Sequence, residues 1–130
     1  MSAAYLDSSA FVKIIVKEPE TDALRRFLKR WPSRVSSALL RAEALRAIRP
    51  HGPEALTKAV TRLSQVNLVG MDDELLEAAG KLDPPALRTL DAIHVASALT
   101  LGTDLGVLVT YDRRLAEACK AMAIKVESPS

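Results

Sequence analysis

Short apolar runs alternate with longer helical segments along the whole chain, and that rhythm confines it to one fold class. The runs "AAYL" (3–6), "RVSS" (34–37), "VNLV" (66–69), "GVLVT" (106–110) and "IKV" (124–126) predict strands, the one at 106–110 being the most strand-like. Helices are expected over "SSAFVKIIVKE" (8–18), which starts on serine, and "ETDALRRFLKRW" (20–31), whose acidic first turn and basic last turn match the macrodipole. Others are expected over "ALLRAEALRAI" (38–48), near 53–65 and 72–82, over "TLDAIHVASALTL" (89–101) with Gly102 closing it, and over "DRRLAEACKAM" (112–122). Pro19, "HGP" (51–53) and "DPP" (83–85) break the chain between them. Strands separated by helices require crossovers. The expectation is therefore an α/β fold, with a mostly parallel central sheet of four to five short strands flanked by helices on both faces. Ligands of such sheets lie beyond the carboxyl ends of the strands.

The chain has 130 residues. That suits a single domain over 1–130, enough to bury about two-thirds of the unfolded surface. With 48% hydrophobic and 26% charged residues it reads as globular, and a net charge of +2 neither demands nor excludes a polyanion. The one cysteine, Cys119, excludes an internal disulfide framework and a cysteine-built metal site, and reads as a small packed residue. No basic region precedes the first apolar stretch, which Lys13 interrupts, and no run approaches the roughly 18 apolar residues of a membrane span. A soluble, cytoplasmic protein without membrane attachment is expected.

Most acids need no special account: Glu18, Glu20 and Asp22 flank a proline turn, and Asp72, Asp73, Glu74 and Glu77 decorate a helix start. Four others stand where an α/β sheet puts its site. Asp7 follows the first strand, Asp112 comes two residues after "GVLVT", and Asp91 lies in the first turn of the helix feeding that strand. Glu43 lies on the helix after "RVSS", in an otherwise apolar row of Ser36, Leu40 and Ala47. Taken singly, Asp7 and Asp112 can cap helices, Asp91 can complement a helix start, and Glu43 can pair with Arg46. Taken together, clustered carboxylates without counter-charge are costly, and a hard divalent cation such as Mg²⁺ or Mn²⁺ removes that cost. His94, three residues after Asp91, is read as a ligand or as a packed histidine orienting Asp91 or holding the helix, while His51 belongs to a surface loop.

"YLDSSAFVKIIVKEPE", "SSALLRAEALRAI", "TLDAIHVASAL" and "LVTYDRRLAEACKAMAI" resemble, in order and spacing, the PIN-domain ribonucleases, and among them the VapC toxins of prokaryotic toxin–antitoxin pairs. The resemblance covers essentially the whole chain. It implies a Mg²⁺-dependent endoribonuclease, with Mn²⁺ able to substitute and Asp7, Glu43, Asp91 and Asp112 as its acidic site. It also implies a homodimer and a small cognate antitoxin whose C-terminal segment enters the site. Ser8, Ser9 and Thr110 match positions where family members place a hydroxyl beside the metal, though hydroxyls there can equally cap a helix. Candidates for RNA phosphate are Arg113 and Arg114 beside Asp112, with Arg25, Arg26, Lys29, Arg30 and Arg34 as an earlier cluster that can equally be solvated helix faces. At 4% aromatic residues, base stacking is not the main mode of recognition.

Rival α/β readings lack their residues. A haloacid-dehalogenase-type phosphatase needs a second Asp where Ser9 stands, and a receiver domain needs an adjacent acidic pair near the N-terminus. The alternative from another class is a PIN-like module that grips RNA or a protein without cleaving it.

Overall fold

The computed structural model describes residues 2–130. Strands β1 (Ala3–Leu6), β2 (Arg34–Ser37), β3 (Asn67–Val69), β4 (Leu105–Val109) and β5 (Val126–Glu127) form one sheet in the order β3-β2-β1-β4-β5, and every neighbouring pair is parallel. The central strand is β1, buried along its whole length, with Tyr5 opposite Val35 on one side and Leu108 on the other.

Alternation along β1 divides the core. Ala4 and Leu6 face α1 (Ser8–Ile15), α2 (Thr21–Leu28), α3 (Leu40–Ile48) and α4 (Pro53–Leu63). Ala3 and Tyr5 face α6 (Thr89–Leu99) and α7 (Arg113–Ala121). Helix α5 (Asp73–Gly80) packs on the outer side of α6, through Leu75 and Ala79 against Ala92, Ile93 and Ala96. Residues 92–98 of α6 are all buried because the sheet covers one side and α5 another. A helix covered from two sides reads apolar nearly all round.

Several element ends differ from the sequence expectation. Helix α1 stops at Ile15, not 18, because the Thr21 hydroxyl donates to the Lys13 carbonyl and accepts from the Glu18 amide, folding the chain back around Pro19. Glu18 and Glu20 are not free surface acids there, since both clamp the Lys13 ammonium, at 2.8 and 2.9 Å. Helix α6 ends at Leu99, and Gly102 opens a 3₁₀ turn, Gly102–Asp104. Strand β5 starts two residues later than expected, after a turn at Ala123 with φ 59°.

Candidate active site

The strand order reverses between β1 and β4, and the carboxyl ends of these strands are where sheets of this kind place a site. Asp7 stands there as the N-cap of α1. Its Oδ1 accepts from the Ala10 amide at 3.0 Å and the Ser9 hydroxyl at 2.7 Å, and its Oδ2 accepts from the Thr110 hydroxyl. Ser9 Oγ in turn accepts from the Tyr111 amide, and Thr110 Oγ1 from the Asp112 amide. Two hydroxyls thus stitch the turn after β4 to the carboxylate after β1. Asp7 is 4% exposed, and burial pushes its carboxyl up against the pull of these three hydrogen bonds. Ser8, half-buried in the first turn of α1, makes no side-chain hydrogen bond among the described residues.

Asp112 caps α7, its Oδ1 accepting from the Arg114 and Leu115 amides. Its Oδ2 receives Arg88 Nη2 at 3.0 Å, while Arg88 Nε reaches Asp91 Oδ2 at 3.1 Å. One guanidinium therefore bridges the acid of α6 and the acid of α7. Sequence reasoning missed Arg88. The available signal was its place three residues before Asp91, on the same helix face.

Glu43 does not pair with Arg46. Its Oε1 lies 2.6 Å from His94 Nε2, and His94 Nδ1 lies 2.8 Å from the Tyr5 hydroxyl. His94 is buried, with its ring edge-on to Tyr5 at 5.8 Å between centroids. Of the readings open for His94, orienting Asp91 is corrected: the imidazole serves Glu43, because α3 faces α6 across the carboxyl ends of β1 and β2. Both ring nitrogens are engaged, which leaves neither for a metal. The row Ser36, Leu40, Glu43 and Ala47 is also less uniform than expected, since Ala47 is exposed.

Asp7 and Asp112 are joined through Thr110, Asp91 and Asp112 through Arg88, and Glu43 meets α6 at His94. Even so, among the described residues no three His, Cys, Asp or Glu side chains form a preassembled metal cage. The donors are all oxygen, a chemistry that fits a hard divalent cation. The bridging guanidinium marks where positive charge is favoured.

The basic candidates separate. Arg113 and Arg114 are exposed at the start of α7, and Arg114 lines a cavity of about 550 Å³ with Arg88, Asp91 and Glu117. Arg26 is exposed on a groove beside Phe27, Arg30, Trp31 and Lys125. Arg25 turns inward and donates to the Ile14 carbonyl at 3.1 Å, so its placement does not bring it to the acids. Arg34 likewise ties off the end of α2 through the Leu28 and Trp31 carbonyls. Cys119 is packed in the core as expected, and His51 is exposed in a 3₁₀ turn. Among the described residues no helix is long and apolar enough to cross a membrane.

The sequence profile of the PIN domain matches residues 4–121. Ribonuclease VapC46 of Mycobacterium tuberculosis is 51% identical over 130 residues, covering all of both chains. Two solved structures share the fold at 18% identity. One is M. tuberculosis VapC20, described as a sarcin-ricin loop cleaving toxin, with TM-score 0.74 over 89% of this chain and 95% of that one. The other is a toxin–antitoxin complex from Klebsiella pneumoniae, with TM-score 0.76 over 98% of each chain. A profile match across nearly the whole sequence and a full-length relative sharing half its residues lead to one conclusion: the chain belongs to the PIN-domain family, among its VapC members.

Proposed function

We propose that this chain is an endoribonuclease that hydrolyses RNA phosphodiester bonds with Mg²⁺, for which Mn²⁺ can substitute, as the toxin of a toxin–antitoxin pair. What supports this reading is that Asp7 is linked to Asp112 through Thr110, Asp91 to Asp112 through Arg88, and Glu43 to α6 through His94, in a chain half identical to a ribonuclease. Asp7 and Asp91 would hold the cation directly, and Glu43 and Asp112 through water or as base. Bound there, the cation supplies phosphate polarisation and a more acidic water.

The protein's own groups prepare that chemistry. Ser9 and Thr110 engage both oxygens of Asp7, so the carboxylate cannot rotate away. Arg88 balances Asp91 and Asp112 and must give way as a cation enters. Neither Ser9 nor Thr110 is poised as a nucleophile, because their hydroxyl hydrogens are committed to Asp7, and burial pushes the Cys119 thiol up to about 11. Water is then the attacking group, and the RNA 2′-hydroxyl is not required. Arg113 and Arg114, exposed beside Asp112, are the candidates for phosphate contact, with Arg26, exposed on a separate groove, as a further one. The proposal extends to a small antitoxin whose C-terminal segment enters the site, to a homodimer, and to a cytoplasmic setting.

The test is incubation with a mixed RNA pool. Cleavage should require Mg²⁺ or Mn²⁺, stop in EDTA and leave 5′-phosphate ends, the end chemistry that the family resemblance implies. Cleavage that persists in EDTA and yields 2′,3′-cyclic phosphates would sink the proposal. RNA retention without any cleavage in either metal would instead favour the non-catalytic module, a reading that the Arg88 bridge across two of the acids supports.

A further inference from the structure

Glu43 is the acid whose position is least explained by its own helix. Asp7 is fixed by an N-cap and two hydroxyls, and Asp112 by a second N-cap, whereas Glu43 projects from α3 with no helix-end amide to hold it. Its single partner among the described residues is His94 Nε2, and its Oε2 carries no hydrogen bond.

The protons in this chain of contacts follow from its ends. A carboxylate only accepts, so Nε2 must carry hydrogen, and in a neutral imidazole Nδ1 is then the acceptor. The Tyr5 hydroxyl, 2.8 Å away, therefore donates to Nδ1. Remove that donor and Nδ1 loses its partner, leaving the ring anchored from the Glu43 side alone. The order Tyr5 O–H to Nδ1, Nε2–H to Oε1 is therefore a single orienting relay. It starts on the same strand that delivers Asp7 and passes through the same helix that delivers Asp91.

We infer that Tyr5 and His94 are positioning residues, holding one oxygen of Glu43 so that the other is presented, through water, to the divalent cation. The inference rests on the metal-dependent reading above. Neither residue touches the cation or the RNA. Outer partners of metal-binding groups typically carry about 10–100-fold in affinity.

The test reads Mg²⁺ and Mn²⁺ binding through the metal concentration that gives half the full rise in melting temperature, without RNA. His94→Gln places an amide N–H near the position of Nε2, and His94→Asn reaches only toward Nδ1. His94→Gln should stay within about threefold of wild type, while His94→Asn should need about tenfold more metal or worse, as should Tyr5→Phe. A purely structural role lowers the melting temperature in EDTA but leaves the metal dependence alone. A wild type that shows no metal-dependent rise overturns the metal reading and this inference with it. Wild-type binding that is matched by His94→Asn and Tyr5→Phe overturns this inference alone.

Should a variant fail to fold, the wild type still decides. Only two imidazoles, His51 and His94, give ¹⁵N signals. His94 should show hydrogen on Nε2 and shift when Mg²⁺ is added, while exposed His51 stays unmoved. Hydrogen on Nδ1, or a His94 signal indifferent to Mg²⁺, would refute the relay.

Discussion

Asp7 carries opposing demands on one carboxyl group. It must be ionised to hold a cation, yet burial raises its pKa in the metal-free fold. The folded state then binds more protons than the unfolded state between the two values, so this group costs stability as pH rises through that interval. Asp7→Asn keeps an oxygen for the Ala10 and Ser9 donors and removes the buried charge. In EDTA at pH 7.5 the variant should melt at or above the wild-type temperature, and the difference should shrink as pH falls toward the unfolded carboxyl value. Excess Mg²⁺ should reverse the order by stabilising wild type alone. Melting curves between pH 4.5 and 8 check this, and a variant that melts clearly lower throughout would make Asp7 a structural cap above all. At this scale, sequence position revealed which acids stand at strand ends, because strand ends are local. The partners were not legible. Helix spacing offers Glu43 only Arg46, whereas its real partner, His94, lies 51 residues away in sequence and meets it only once the sheet has set α3 and α6 on its two faces. Arg88 reaches Asp112 across 24 residues for the same reason.

Elements were easier to read than their ends. The apolar runs located all five strands and the intervening segments all seven α-helices, since period and polarity are set by which faces are covered. The ends depend on tertiary hydrogen bonds such as Thr21 to the Lys13 carbonyl, which no window of sequence displays. Strand β4 shows the same limit from another side. Gly106 looks like a weakness in the most strand-like run, but a Cβ there would lie 2.4 Å from the Trp31 ring. The glycine admits the indole, which stacks on Phe27 at 6.3 Å and closes α2 against the sheet. Gly106→Ala should therefore destabilise despite the better strand propensity of alanine, by about 1–3 kcal/mol, or roughly 3–10 °C in Tm for a chain of this size. Gly106→Ala combined with Trp31→Leu should recover part of that loss. A single variant as stable as wild type would mean that the indole moves aside freely.

On the scale of the whole molecule, the question is which apolar surface the monomer leaves uncovered. Phe27 and Trp31 are not that surface, since both are half-buried against the core of the α1–α4 face. The exposed large side chains include Leu76 on α5, 43% exposed, and Leu90 on α6, 50% exposed. These two helices pack on each other, and α5 is carried by α6 rather than by the sheet. Beside them opens a cavity of about 570 Å³ lined by Leu76, Leu82, Leu87, Ala92 and Ile93. Paired surfaces of this kind bury apolar area that a lone monomer would expose. The homodimer proposed above should therefore form through α5 and α6. Light scattering at micromolar concentration should give about twice the 14.1 kDa chain mass. Leu76→Glu with Leu90→Glu should return the mass to one chain with the circular dichroism unchanged, because neither side chain is in the core. A wild-type mass of one chain at high concentration would refute the dimer. A double variant that stays dimeric would place the interface on another face.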